Sequence, residues 1–382
     1  MGNLKIVPGI SVEEVHDNNI YLKNTNELSD WLTHLKPGLM FDYAFPGARG
    51  NLRFGYQGDF VYYDKYDNND YKNHTGLFDM TYAAPGGILF GLSNTYINAA
   101  DPYTDPNQYL LGQPGIKRWN DTLKGKIGYD LGNRFRVMGY YNLYKQDYDR
   151  LQDYSQDYDE NEFGLGLEAR LAPKTWGFIR YYYGERDFFS HPAVVANVAT
   201  NSTGANDADI NWHKVNVGLT WDPDAKLSGE LNLGYSWNDY VNRADPTGNL
   251  YNNKDAWTAS TYIRYTATAT TTLALILSRS LRPVGSTTND YYLDTTYGLS
   301  LDQILMTKLT LSAGVSYNTN EYYLPLNRVR DDDNYSATIN LNYQIQDWLR
   351  AGVGYAYRKK DSNYTINDFT DNQFLFTIGA VY

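Results

Sequence analysis

The last twelve residues of the chain, DNQFLFTIGAVY, alternate between large apolar side chains and smaller or polar ones. Successive side chains of a β-strand point to opposite faces, so Phe374, Phe376, Ile378, Ala380 and Tyr382 form one continuous apolar stripe. An unpaired edge strand with an apolar face promotes aggregation, and soluble proteins seldom end this way. A membrane barrel can end this way, because its last strand closes on its first and leaves no edge. The edge strand of a soluble β-sandwich is the alternative that this segment leaves open.

The same alternation recurs along the chain in about 18 extended segments. Residues 51–63 show it clearly, with Leu52, Phe54 and Tyr56 on one face and Arg53 and Gly55 on the other. The predicted strands are 4–15, 30–43, 51–63, 74–84, 88–97, 116–130, 134–148, 162–171, 175–188, 209–221, 226–240, 254–266, 272–281, 290–301, 308–323, 334–346, 348–360 and 371–382. Their connections are alternately long and short, as in outer-membrane barrels with short periplasmic turns and long extracellular loops.

No linker divides the 382 residues, whereas a β-sandwich protein of this length needs at least two domains. We therefore predict one domain, residues 1–382, that forms a transmembrane antiparallel up-and-down β-barrel of about 18 strands with both termini in the periplasm. A barrel of 16 strands is the alternative, because the first hairpin is irregular. Pro8 and Pro37 lie inside its two strands, and proline removes a ladder donor. We expect a bulge or shortened pairing there.

Composition supports a membrane barrel and excludes other classes. The 38 tyrosines suit the aromatic girdles at the two membrane surfaces. No run of about 18 apolar residues exists, which excludes transmembrane helices. The absence of cysteine excludes disulfides and thiolate metal sites. The net charge of −11 argues against nucleic-acid binding. Acidic runs such as 147–162 and 331–333 are predicted to be solvated loops.

If one face of each strand meets lipid, the other lines the interior and should be polar or small. Basic residues dominate the predicted inner face, where the acids counted are Glu13, Asp42, Asp59, Asp79, Glu168 and Glu230. The predicted pore-lining residues are Arg53, Lys124, Lys126, Arg136, Arg170, Lys214, Arg264, Arg350, Arg358, Glu168 and Glu230. The alternation also places Lys5 and Lys36 on the inner face. The strand that contains Arg180 and Arg186 alternates poorly, so the sequence does not show on which face these two residues lie. A basic lining favours anions. Alternatively, these side chains pair with the acids and fill the lumen.

The sequence contains no pattern typical of an enzyme. Its five histidines lack metal-ligand spacing, so no metal site, cofactor or catalytic residue is predicted. Ser190 and His191 are the nearest approach to a catalytic pair, but they lie in a long loop with no evident third residue to orient the histidine.

The N-terminal stretch PGISVEEVHDNNIYLKNTNELSDWLTHLKPGLMFDY, residues 8–43, resembles the opening of a family of outer-membrane β-barrel porins, type two. The alternating strands extend this resemblance over most of the chain. Members of the family are often associated with export of exopolysaccharide or capsule, so the resemblance implies a polysaccharide-export channel. The terminal strand also resembles the assembly signal of outer-membrane proteins, with Phe374, Phe376, Ile378 and Tyr382 as its residues.

We therefore predict a non-enzymatic outer-membrane channel for polysaccharide or other anionic or sugar solutes. A passive diffusion or nutrient-uptake porin is one alternative. The other is a barrel plugged by long loops, such as 98–115 and 189–208, that serves adhesion or holds a partner. The expected partners are outer-membrane lipid and lipopolysaccharide, the barrel-assembly machinery and periplasmic export components, without nucleic acid.

Overall fold

The computed structural model describes residues 4–100, 117–149, 157–189, 208–222, 225–243, 250–251, 253–283, 291–323 and 329–382. Nearly all of this chain is β-strand, in one 18-stranded antiparallel sheet. The strands are β1 (Leu4–Asp17), β2 (Asp30–Ala44), β3 (Gly50–Tyr63), β4 (Tyr71–Ala83), β5 (Ile88–Ala99), β6 (Arg118–Leu131), β7 (Phe135–Tyr148), β8 (Tyr158–Ala172), β9 (Thr175–Phe188), β10 (Ile210–Trp221), β11 (Leu227–Tyr240), β12 (Ala256–Thr266), β13 (Thr271–Pro283), β14 (Tyr291–Met306), β15 (Leu309–Tyr323), β16 (Val329–Gln346), β17 (Leu349–Ser362) and β18 (Phe369–Val381). Among the described residues, no helix is long and apolar enough to cross a bilayer.

Each strand pairs with its neighbours in the chain, and β18 closes the sheet against β1. The register of this seam runs from Gly9 opposite Val381 to Asp17 opposite Gln373. The prediction that the last strand pairs with the first is confirmed, although the paired part of β1 begins at Gly9 rather than at residue 4. The closed barrel of 18 strands is confirmed, and the 16-strand alternative is wrong.

Two local expectations are corrected. No bulge occurs between β1 and β2, whose register is continuous with Pro8 opposite Leu39 and Pro37 opposite Ile10. Instead, the β2–β3 ladder skips Lys36 and Pro37 without a change of register, because proline has no N–H to donate. Interruption of the β2–β3 ladder is therefore sufficient to accommodate Pro37, and the β1–β2 ladder stays continuous.

The acidic run 331–333 is not a loop but part of β16. Alternation places Asp332 on the opposite face from Asp331 and Asp333, and the buried Asp332 carboxylate is bonded to Arg330 and lies 3.7 Å from the Lys360 ammonium. Paired cations make a buried carboxylate tolerable in a strand, which the charge run alone does not reveal. The ends of the run 147–162 likewise belong to β7 and β8, and its middle lies outside the described residues.

The two faces of the sheet differ in chemistry. One carries exposed aromatic and aliphatic side chains such as Phe54, Leu165 and Phe376. Aromatic pairs cross strands on this face, as in the Tyr297–Tyr317–Tyr335 ladder with ring centroids 6.3 and 5.2 Å apart. Each such pair contributes about 0.2–1 kcal/mol. This outer face is the one suited to lipid.

The other face is concave, because polar contacts on it bridge strands that are not neighbours. Arg180 of β9 lies 2.9 Å from Glu230 of β11, and Lys214 of β10 lies 2.5 Å from Glu162 of β8. Neighbouring strands are about 4.8 Å apart, so side chains meet across an intervening strand more readily where they converge inward. We call this the inner face.

Candidate functional site: the inner face of the barrel

The strand register places all eleven residues predicted to line a pore on the inner face. Cross-strand partners share a face, and the series Asp42, Arg53, Asp79, Ser93 and Lys124 runs from β2 to β6 in this way. The same tracing continues around the sheet and returns to β1 with consistent alternation. Lys5 and Lys36 lie on this face as well.

Arg180 and Arg186, whose phase the sequence leaves open, also lie on the inner face. Gly166 of β8 is opposite Arg180, and Glu160 is opposite Arg186. The segment TWGFIRYYYGER carries aromatic residues on both faces, so hydrophobicity alone does not separate them. The face on which each β9 residue lies follows from its partners in β8 and β10. Those partners are known only once the strand register is known.

Arg180 is the centre of a packed wall on strands β7 to β11. Its guanidinium lies 3.2 Å from Glu168 Oε1 and 2.9 Å from Glu230 Oε1, and its carbon is 3.7 Å from the centre of the Phe178 ring. The residue is 8% exposed. The Tyr140 hydroxyl donates a hydrogen bond to Glu168 Oε1 at 3.1 Å. One buried cation therefore holds two carboxylates from strands on either side of it.

A second cluster on this wall is built around Glu162. Its carboxylate accepts hydrogen bonds from Lys214 Nζ at 2.5 Å, Trp212 Nε1 at 2.9 Å and Asn142 Nδ2 at 2.9 Å. Closer to the long loops, Arg186 donates to Glu160. Acids and bases from three strands, β8, β9 and β10, pair with one another here, which agrees with the alternative that these side chains pair and fill the lumen.

The aromatic rings of this wall are covered by cations rather than open to solutes. Trp176 is 2% exposed, with the Arg136 guanidinium carbon 3.5 Å above its ring. Such stacking is favourable by about 0.5–2 kcal/mol and fixes the guanidinium in place. A different tyrosine, Tyr262 of β12, is 50% exposed on the inner face and its ring is available for contact.

The inner face carries more acids than the six that hydrophobic alternation predicts. The additional ones are Asp17, Asp30, Asp130, Glu160, Glu162, Asp294, Asp302, Asp332 and Asp371. Most lie near strand ends, where hydrophobic alternation fades and the phase is hard to read. Each of these carboxylates accepts a hydrogen bond or ion pair from the protein.

Five cations of the inner face have no such partner. Lys5, Lys124, Lys126, Arg264 and Arg350 are exposed and form no ion pair or hydrogen bond within the described part of the chain. Arg264 lies two residues before the end of β12, and Arg350 is the second residue of β17, so both are close to short turns. The accessible charge of the inner face is therefore positive, although its total charge is nearly balanced.

The long-loop rim of the barrel is held by polar contacts, one of them buried and the other exposed. Asp30 accepts hydrogen bonds from the backbone N–H groups of Lys65 and Tyr66 at 3.1 Å. Beyond the strand ends, Lys117 lies 2.9 Å from Asp149, and this hydrogen bond raises the pKa of the Lys117 ammonium. Both contacts join neighbouring connections and stiffen the rim.

The described histidines have structural partners. His34 lies 2.9 Å from Asp59, and His74 and His213 accept or donate hydrogen bonds with the Tyr56 and Tyr181 hydroxyls at 2.8 and 2.6 Å. No group of three or more metal-binding side chains is present among the residues described. Ser190 and His191 lie outside those residues.

Comparison with solved structures gives matches of low sequence identity over nearly the full length of the chain. OpdL of Pseudomonas aeruginosa has 11% identity and a TM-score of 0.47, over 100% of this chain and 99% of that one. OccAB4 of Acinetobacter baumannii has 10% identity and a TM-score of 0.46, with the same coverage. A bacterial polysaccharide outer-membrane secretin has 7% identity and a TM-score of 0.36, over 98% of each chain.

The comparison with curated proteins gives no match. A family model with the description "Putative beta-barrel porin 2" matches residues 1–380, almost the full length of the chain. The protein therefore belongs to this family of outer-membrane β-barrel porins, which are channels rather than enzymes.

Proposed function

We propose that this outer-membrane channel passes anionic solutes, and acidic sugars in particular. The observation that carries the proposal is the contrast between the two signs of charge on the inner face. Nearly all the carboxylates are bonded to protein groups, with the exposed Asp79 as the exception, whereas Lys5, Lys124, Lys126, Arg264 and Arg350 are exposed and form no hydrogen bond or ion pair in the described structure. A mobile ion inside the barrel meets mainly the unbonded cations, and these attract anions.

The polar surface opposite the packed wall supports sugars as the solute class. The inner faces of β14 to β17 carry small hydroxyl, amide and glycine residues, among them Ser300, Ser316, Asn340 and Gly354. Such groups exchange hydrogen bonds readily with the hydroxyls of a passing sugar. The exposed ring of Tyr262 adds an apolar surface for a sugar ring.

We propose three further roles for other parts of the chain. The eleven predicted residues, from Arg53 to Arg358 with Glu168 and Glu230, line the pore. The short turns and both termini face the periplasm, where export components act as partners. The assembly machinery recognises the terminal strand through Phe374, Phe376, Ile378 and Tyr382.

Removal of three unbonded cations is expected to lower anion selectivity. A unit charge at roughly 10 Å in water contributes about 0.4 kcal/mol. The combined variant Lys124→Gln, Lys126→Gln and Arg264→Gln therefore loses about 1.2 kcal/mol of attraction for an anion and about 1.2 kcal/mol of repulsion for a cation. The anion-to-cation permeability ratio from reversal potentials should fall by more than roughly ten-fold at 0.01 M salt, where the Debye length is about 30 Å.

Lys72→Gln is the matched control, because Lys72 is an exposed lysine on the outer face. Its reversal potential should equal that of the unchanged protein. Cation selectivity of the unchanged protein would refute the proposal. Swelling of liposomes that depends on solute size alone, with charge irrelevant, would favour a passive diffusion porin.

Replacing Tyr382 by serine is expected to impair assembly without affecting stability. The Tyr382 side chain is 93% exposed, while its backbone N–H donates to the Pro8 oxygen at 3.0 Å in either variant. Assembly into membranes containing the assembly machinery should slow several-fold, as measured by heat-modifiable mobility on gels. Ile366→Ser changes a similarly exposed residue, 84%, in a connection and should assemble normally. Equal assembly rates for the two variants would contradict a recognition role for Tyr382.

A further inference from the structure

A recess with a volume of about 530 Å³ lies on the inner face, across the seam of the barrel. Its floor is formed by glycine on four consecutive strands, namely Gly352 of β17, Gly379 of β18, Gly9 of β1 and Gly38 of β2. Gly9 is directly opposite Gly38, and Gly379 is opposite Arg350. The missing side chains create the depression, whose volume lies within the range of about 300–1,000 Å³ for small-molecule sites.

The polar groups around this floor are free to bind a ligand. Arg350, Gln57, Asn342, Ser11 and Thr75 line the recess, and none of their side chains forms a hydrogen bond within the described part of the protein. Together they offer a guanidinium fork, two amides and two hydroxyls. Binding sites place a few such groups around an open volume, whereas a structural network satisfies them internally.

The other charged side chains of the recess are already bonded to protein groups. Lys36 lies 2.6 Å from Glu13, and Asp59 lies 2.9 Å from His34. Arg350 is therefore the charge available to a ligand. A guanidinium binds a carboxylate through two parallel hydrogen bonds. The amides and hydroxyls donate and accept, which matches the hydroxyl groups of a sugar.

We propose that this recess is a binding subsite for a carboxylate-bearing sugar, such as a uronic acid. The Arg350 guanidinium holds the carboxylate, while Gln57, Asn342 and Ser11 bond the ring hydroxyls above the glycine floor. The proposal rests on the proposed function and deepens it, because it names the solute class and the place where the solute pauses. One cation selects a singly charged sugar unit, and the amides distinguish it from a bare inorganic anion.

Ligand-observed NMR on the full chain in detergent tests the subsite without requiring conduction. Galacturonate should bind saturably, and galactose and inorganic phosphate should each bind at least ten-fold more weakly. Arg350→Gln should weaken galacturonate binding about ten-fold, since this exposed side chain forms no hydrogen bond or ion pair in the described structure. Gly38→Leu, which fills the floor without changing any charge, should do the same.

Lys72→Gln serves as the matched control, because it removes an equal charge from the outer face, outside the recess. Its galacturonate affinity should change less than two-fold. Equal binding of galacturonate and galactose, or no effect of Arg350→Gln, would overturn the subsite. Equal binding of phosphate would overturn the choice of a carboxylate. Reversal potentials test the proposed function independently of binding. If the channel is anion-selective but Arg350→Gln does not weaken galacturonate binding, the subsite is refuted and the proposed function is not.

Discussion

Replacing Arg180 by methionine should destabilise the barrel by about 3 kcal/mol. The guanidinium is buried and bonded to Glu168 and Glu230, so its removal leaves two carboxylates near each other without a cation between them. Breaking a buried ion pair from one side costs more than the pair itself contributes, because the remaining charge is poorly solvated. Urea unfolding of the protein in lipid vesicles, followed by tryptophan fluorescence, measures the difference.

Two comparison variants separate this mechanism from a general loss of charge. Arg264→Met removes an exposed guanidinium without partners in the described structure and should change stability by less than about 0.5 kcal/mol. Adding Glu168→Gln and Glu230→Gln to Arg180→Met should recover part of the loss, because the orphaned charges disappear. A triple variant as unstable as Arg180→Met would show that packing, rather than charge, causes the effect.

Gly229→Ala is expected to cost about 3 kcal/mol for a different reason. Gly229 lies in β11 with a φ of +109°, a conformation that residues with a Cβ rarely adopt. An added Cβ would also meet the backbone oxygen of Tyr262 in the neighbouring strand. Backbone cannot move aside without disturbing the β11–β12 ladder, so both effects act against the closed sheet. The midpoint of urea unfolding and the yield of folded barrel should both decrease.

Gly76→Ala provides the control for this substitution. Gly76 lies in β4, where the nearest atom to an added Cβ is Tyr96 Cβ at 3.9 Å, an ordinary contact. Its unfolding midpoint should stay close to that of the unchanged protein. A similar loss in both variants would mean that any side chain at a strand glycine is harmful, and that the φ value of Gly229 is irrelevant.

The fold is predictable from this sequence because each strand carries its own information. Alternation with period two identifies strands such as β3 and β18 directly, and the alternation of long and short connections identifies the barrel. Seventeen of these connections join neighbouring strands, so local pattern and global topology coincide. Only the β1–β18 seam is non-local, and closure itself requires it.

The inner face is less predictable, because its chemistry depends on which residues become opposite one another. The sequence shows that Lys214 points inward, but its neutralisation by Glu162 depends on two strands that β9 separates. Asp332 appears as part of a solvated acidic run until the register places Lys360 beside it. Whether Arg350 has a hydrogen-bond or ion-pair partner likewise depends on the residues of neighbouring strands, so the sequence of β17 alone does not predict it.

The seam between β1 and β18 has a consequence for the order of folding. Asn19 donates a hydrogen bond to the Thr370 oxygen, a contact between residues 351 positions apart. Closing a loop of this length costs about 3 kcal/mol more in chain entropy than closing a hairpin of about 14 residues. The seam should therefore form last, and the glycine-floored recess that lies across it should exist only in the finished barrel. A sugar that binds there stabilises the closed state over any open sheet by mass action, so binding can serve as a kinetic probe of closure.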